Sequence, residues 1–83
     1  MSRQLRFAGP PQALAAIRQQ LEARAVYVKE LRLAVALVPA DAALTVLTGL
    51  DGGVKLRVAR LVPVEEIFGM IEAMPMRRSE RRR

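Results

Sequence analysis

The sequence predicts an α+β protein: a two-layer sandwich with the element order β-α-β-β-β-α and helices on one face of a largely antiparallel sheet. Three observations support this fold class. Polar and apolar residues alternate in several short segments, as in half-buried strands. Two segments that follow prolines have apolar residues three or four apart, as in amphipathic helices. Breaks rich in Gly and Pro separate these segments along a chain of 83 residues, which is the length of one domain.

The first strand is predicted over residues 3–8, where Leu5 and Phe7 share one face and Gln4 and Arg6 share the other. Pro10 and Pro11 then favour the start of a helix, because proline fits the first helical turn. The helix presents a narrow apolar stripe to the sheet, formed by Leu14, Ile17 and Leu21.

The segment Val26–Val38 is predicted to be one long strand. Its second half is apolar on both sides, because leucines and Val35 alternate there with Ala34, Ala36 and Val38. Strands of this kind are covered on both faces. Since the predicted helices cover one face, we expect a second copy of the chain to cover the other. The predicted oligomer interface, most simply of a homodimer, therefore consists of Ala34, Ala36 and Val38.

Residues 42–48 admit two interpretations. Asp41 can cap a short helix that ends at Gly49, which moves the order towards β-α-β-α-β-α. Alternatively LTVLT is a strand, and Leu50–Gly53 (LDGG) is a hairpin turn that leads into a strand with Lys55 and Arg57 outward. The hairpin is favoured, because Thr and Val prefer strands and Asp-Gly-Gly is typical of turns. A ferredoxin-like split needs a turn near residues 29–30, which contain no turn-forming residue.

The last helix is predicted to begin at Pro63. Its apolar face contains Phe68, and Glu65 and Glu66 lie in its first turn, where the helix dipole favours acids. Pro75 is expected to end it. Residues 1–75 then form the single domain and residues 76–83 a disordered basic tail, so that truncation after Pro75 leaves the fold intact.

Composition excludes several kinds of function. The chain has no Cys and no His, which removes disulfides, thiolate nucleophiles and the commonest metal ligand and general base. The acids are dispersed and the hydroxyls have no neighbouring base, so we expect neither an enzyme nor a cofactor or metal site. No signal peptide is recognisable, and the longest apolar run is far shorter than the roughly 20 residues that span a bilayer. The expected location is cytoplasmic, with no membrane partner.

The positive charge points to nucleic acid. The net charge is +6, and residues 76–83 carry four of these charges. A second basic group is expected on the outward face of the sheet. No aromatic residue accompanies it, so binding to DNA or RNA should be phosphate-directed and independent of base sequence. The alternative is a homo-oligomeric interaction or regulatory module, in which the tail only aids solubility or contacts an acidic protein. The predicted nucleic-acid-binding residues are Arg6, Arg32, Lys55, Arg57, Arg77, Arg78, Arg81, Arg82 and Arg83.

Overall fold

The computed structural model describes residues 1–81. These form the strands β1 (Arg3–Gly9), β2 (Leu33–Pro39), β3 (Leu44–Thr48) and β4 (Val54–Val58). The helices are α1 (Pro11–Ala23), α2 (Ala25–Glu30), α3 (Val64–Glu72) and α4 (Pro75–Arg81). The predicted α+β sandwich is confirmed. None of the helices within 1–81 is long and apolar enough to cross a bilayer.

The four strands form one mixed sheet in the order β2-β1-β3-β4. β1 runs parallel to β2, while β3 is antiparallel to both β1 and β4. A parallel pair requires a crossover connection, and here α1 and α2 provide it. Two of the three pairings are therefore antiparallel, as expected for a largely antiparallel sheet.

The helices lie on one face of the sheet because the apolar stripes fall there. Leu5 and Phe7 of β1 are buried together with Leu47 of β3, as the alternation predicted. The helical stripes pack against these residues in one continuous core. They consist of Leu14, Ile17 and Leu21 from α1 and Val64, Ile67, Phe68 and Ile71 from α3.

The predicted strand Val26–Val38 is wrong in its first half. Residues 25–30 form α2, Leu31 is fully buried, and β2 begins only at Leu33. Tertiary contacts outweigh the strand preference of Val and Tyr here. The Tyr27 ring packs edge-on against Phe68 at a centroid distance of 4.9 Å, and its hydroxyl donates to Glu72 Oε2 at 2.6 Å. These contacts favour a helix that keeps Tyr27 over the core.

The favoured hairpin interpretation of residues 42–58 is confirmed, and the helical alternative is not. The turn is closed by a hydrogen bond from Gly49 N to Gly53 O at 2.9 Å, and Gly52 takes a φ of 82° that suits glycine. A register shift between Leu47 and Thr48 marks a bulge. Because of it the predicted alternation of β4 with Lys55 outward is interrupted: Val54 pairs with Thr48 and is 61% exposed.

The C-terminal segment differs from its prediction. α3 ends at Glu72, but Pro75 begins a new helix instead of a disordered tail, and α4 continues to Arg81. Proline is suited to the first position of a helix, which explains why the same residue ends one helix and begins another. The expectation of disorder is therefore wrong for 76–81, and Arg82 and Arg83 lie outside the described residues.

Candidate functional site

Within residues 1–81 one face of the sheet is covered by no helix, and this open face is the candidate site. Its register rows place Ala36, Arg6, Val46 and Arg57 side by side across all four strands. A shallow cavity of about 420 Å³ lies over the β2–β1–β3 part of this face, with Ala34 and Val38 in its lining. The open face consists of Gln4, Arg6, Ala8, Ala34, Ala36, Val38, Leu44, Val46, Thr48, Val54 and Arg57.

Two cations of the open face are unneutralised. Arg6 and Arg57 are exposed and share one register row, separated by Val46. At a strand spacing of about 4.8 Å their Cα atoms lie about 10 Å apart. Within residues 1–81 neither side chain forms an ion pair, and none of the four strands contains Asp or Glu. An incoming anion therefore meets no competing carboxylate on this face.

Lys55 does not lie on the open face, contrary to the prediction, because it is the bulged residue of β4 and its side chain lines a cavity with Arg3 and Met74 on the helix side. Its Nζ lies 3.0 Å from Oδ2 of Asp51 in the preceding turn. The backbone N–H of Gly53 and the Lys55 ammonium together hold the pKa of Asp51 below its usual value. Asp51 is thus charged at neutral pH, and its ion pair with Lys55 lies in the hairpin turn, away from the two arginines of the open face.

Arg32 does not belong to the open face, contrary to the prediction. Because β2 begins at Leu33, Arg32 lies in the turn before it with a φ of 53°. Its Nη1 lies 3.5 Å from Glu80 Oε2 on α4. The alternation that placed Arg32 outward applies only to a strand, and the chain is not extended at this residue.

The arginines of α4 divide into two groups. Arg77 is 11% exposed; its Nε lies 2.9 Å from Glu72 Oε1 and its Nη1 3.5 Å from Glu80 Oε1. Arg81 is 64% exposed, and its Nη1 makes a longer contact of 3.7 Å with the same Glu72 oxygen. Arg78 is exposed. Arg77 therefore has a structural role, while Arg78 and Arg81 keep their guanidinium groups accessible.

Arg3 was missed by the sequence analysis. Its side chain is fully buried; Nη2 lies 3.3 Å from Glu80 Oε1, and Nη1 donates to the carbonyl of Leu31. A signal was present, because Arg3 precedes Leu5 by two residues and so shares its inward face. This pair joins the central strand to α4, which places α4 on the helix side of the sheet, away from the open face.

Acid should weaken the contact between α2 and α3. Hydrogen bonds from Tyr27 and Arg77 lower the pKa of Glu72, whereas burial and the same Glu72 contact raise the pKa of Tyr27. The folded chain therefore keeps Glu72 charged to lower pH than the unfolded chain does. Stability should be lost as pH falls below the ordinary value of 4.5 towards the folded-state pKa. Urea unfolding from pH 7 to pH 3 measures this.

Glu72→Gln should make the same pH series less steep, and Glu30→Gln, at an exposed acid on α2, is the matched control. A Glu72→Gln series as steep as that of the original chain would assign the acid sensitivity to other carboxylates. The ordinary pKa of a tyrosine is 10.0, and the pKa of Tyr27 in the folded chain is higher. The stability that this difference contributes is therefore lost only as the pH rises above 10.0.

Comparison with known proteins gives one match. Neither the curated proteins nor the solved structures contain a significant match to this chain. A family model described as Domain of unknown function (DUF4174) matches residues 4–80, which include β1 from its second residue on, the other three strands, the first three helices and most of α4. The chain therefore belongs to the DUF4174 family.

Proposed function

We propose that this is a non-enzymatic cytoplasmic protein that binds nucleic acid by its phosphates, without reading base sequence, and that also self-associates. One observation carries the nucleic-acid part: the open face holds Arg6 and Arg57 in one row and contains no acid. Each guanidinium group can bind a phosphate with two parallel hydrogen bonds.

The surroundings of the two arginines favour a polymer over a single small anion. A spacing of about 10 Å is too wide for both groups to grip one phosphate, but it suits separate phosphates of one strand. Val46 lies between them and can contact sugars and base edges without selecting a base. The three aromatic side chains Phe7, Tyr27 and Phe68 all pack on the helix side, so the described part of the open face has no base-stacking platform.

The α4 arginines form a second basic surface in this proposal. Arg78 and Arg81 are accessible, but α4 packs on the opposite side of the sheet from Arg6 and Arg57. Their contribution should therefore be separable from that of the open face by mutation.

A salt titration tests the nucleic-acid proposal. Each phosphate contact on a single strand contributes about −0.7 to the slope of log affinity against log salt. Arg6→Gln/Arg57→Gln should therefore reduce the magnitude of the slope by about 1.4 and weaken binding most at low salt. Fluorescence anisotropy with a labelled single-stranded oligonucleotide, from about 50 to 200 mM salt, measures both quantities.

Two controls locate the binding surface. Lys29→Gln removes one exposed charge from α2 and should change the slope little. Arg78→Gln/Arg81→Gln removes two charges from α4, and a larger loss in this variant than in the Arg6/Arg57 variant would move the site to α4. If the unmodified protein fails to bind even at about 50 mM salt, the nucleic-acid proposal is wrong.

Self-association is supported by a different feature, the uncharged strand β2. Ala34 and Ala36 are exposed and Val38 is half-buried, in a strand with the sequence LAVALVP. If nucleic acid does not bind, this feature favours a homo-oligomeric interaction module, whose open face is suited to an acidic protein segment.

A further inference from the structure

β2 is an edge strand without the features that usually protect an edge. It hydrogen-bonds to β1 on one side only, so one row of its backbone groups is unpaired within the sheet. Its seven residues contain no charge, its register with β1 is regular, and its only proline is the last residue, Pro39. Such strands readily pair with another strand.

The opposite edge, β4, is protected. It has five residues, two of them the cations Lys55 and Arg57, and its pairing with β3 is interrupted by the bulge at Leu47 and Thr48. Charges, short length and bulges all discourage edge-to-edge pairing. The contrast indicates that the unprotected β2 edge is a contact surface.

The helix side of β2 also carries incompletely buried apolar residues. A cavity of about 370 Å³ runs between α1, α2 and the strand, lined by Leu21, Val28, Val35 and Leu37. Val28, Val35 and Leu37 are only partly buried in the isolated chain. Apolar surface therefore lies on the helix side of this edge, and a second copy paired at the edge would cover it.

We infer that β2 pairs antiparallel with β2 of a second copy, about a two-fold axis perpendicular to the sheet. Arg18 and Glu22 of α1 flank the cavity, are both exposed, and form no ion pair within residues 1–81. A two-fold axis makes the two α1 helices antiparallel, so that each Arg18 lies towards the other copy's Glu22. The edge is thus self-complementary in charge, as an isologous interface requires.

Packing of two open faces against each other is the less favourable arrangement. It would bring Arg6 and Arg57 of both copies together with no carboxylate to neutralise them. Edge pairing instead leaves both open faces exposed on the same side of one eight-stranded sheet. The two Arg6 residues are then three strand spacings, about 14 Å, apart.

This dimer deepens the self-association part of the proposed function, and it would join two phosphate-binding rows into one surface. Its test needs no nucleic acid. Sedimentation of the unmodified protein should show a dimer at about 100 µM. Arg18→Glu should raise the dimer dissociation constant at least about tenfold, because it places like charges together. Glu22→Arg should do the same, and Arg18→Glu/Glu22→Arg should restore the original dimerisation constant.

Circular dichroism checks that the exposed α1 variants remain folded, and Arg57→Glu at the β4 edge is the control, which should leave the dimer unchanged. A monomer at about 100 µM overturns the inference. A dimer that Arg18→Glu does not weaken, or that the double exchange does not restore, overturns the β2 edge geometry. Oligonucleotide binding by a monomeric Arg18→Glu variant would show that the nucleic-acid proposal holds even where the dimer is lost.

Discussion

Phe68→Ala is expected to lower the free energy of unfolding by about 3–5 kcal/mol, the usual range for truncating a buried phenylalanine. The ring is 3% exposed and lies between the Tyr27 ring and the core. The Arg24 guanidinium group lies 5.2 Å from its centroid, so truncation also removes a cation–π contact. A domain of this size has roughly 4–12 kcal/mol in total, at 0.05–0.15 per residue. The loss is therefore a large fraction of the total, and the variant should unfold at a much lower urea concentration than the original chain.

Urea unfolding followed by circular dichroism measures this loss. Val26→Ala is the control, because that side chain is 78% exposed on α2 and should change stability by less than about 0.5 kcal/mol. If Phe68→Ala keeps full stability and loses a binding activity instead, Phe68 is a contact residue and the core described above is wrong.

Glu80→Gln is expected to cost about 3 kcal/mol, because it leaves the Arg3 guanidinium buried without its counter-charge. The Arg3 side chain is fully buried and that of Glu80 is 16% exposed, so solvent screens the pair little. Arg3→Met/Glu80→Gln should recover most of the loss, since an uncharged pair needs no compensation. A double-mutant cycle on Arg3 and Glu80 measures the interaction energy of this pair. It thereby separates that energy from the loss of the Arg32 and Arg77 contacts to the same carboxylate.

Truncation after Pro75 should destabilise the chain by a similar amount, which reverses the sequence-based expectation that the fold would stay intact. Thermal unfolding of full-length and truncated protein makes this comparison, with Arg78→Gln as the control that keeps Glu80 in place. Equal melting temperatures would show that Arg3 does not depend on α4.

The elements whose apolar spacing and turn chemistry agree were predicted correctly. β1 alternates strictly, α1 follows two prolines, and β3 and β4 flank an Asp-Gly-Gly turn. The prediction for residues 25–32 was wrong because Val26, Tyr27 and Val28 all prefer strands. The contacts of Tyr27 with Phe68 and Glu72 outweigh that preference and favour a helix. Those partners lie more than 40 residues away, so no local pattern reveals them.

The candidate site was predicted only where a strand was placed correctly. Arg6 and Arg57 lie on correctly placed strands, and both face outward as expected. Arg32 was assigned to a strand that begins one residue later, and its charge contacts α4 instead. Arg3 was missed although it lies two residues before Leu5 and so faces inward with it. A buried arginine is unusual unless a carboxylate accompanies it, and here that carboxylate is the distant Glu80.

The central position of β1 has a consequence for how the chain folds. β1 is the first strand along the chain, yet Leu5 pairs with Val35 and Leu47, which are 30 and 42 positions further on. The sheet cannot form around β1 until residues up to Thr48 are available, and large loops must close before these pairings give any stabilisation. During synthesis residues 3–9 therefore remain unpaired with Leu5 and Phe7 exposed, and in that interval the nascent chain is most exposed to aggregation.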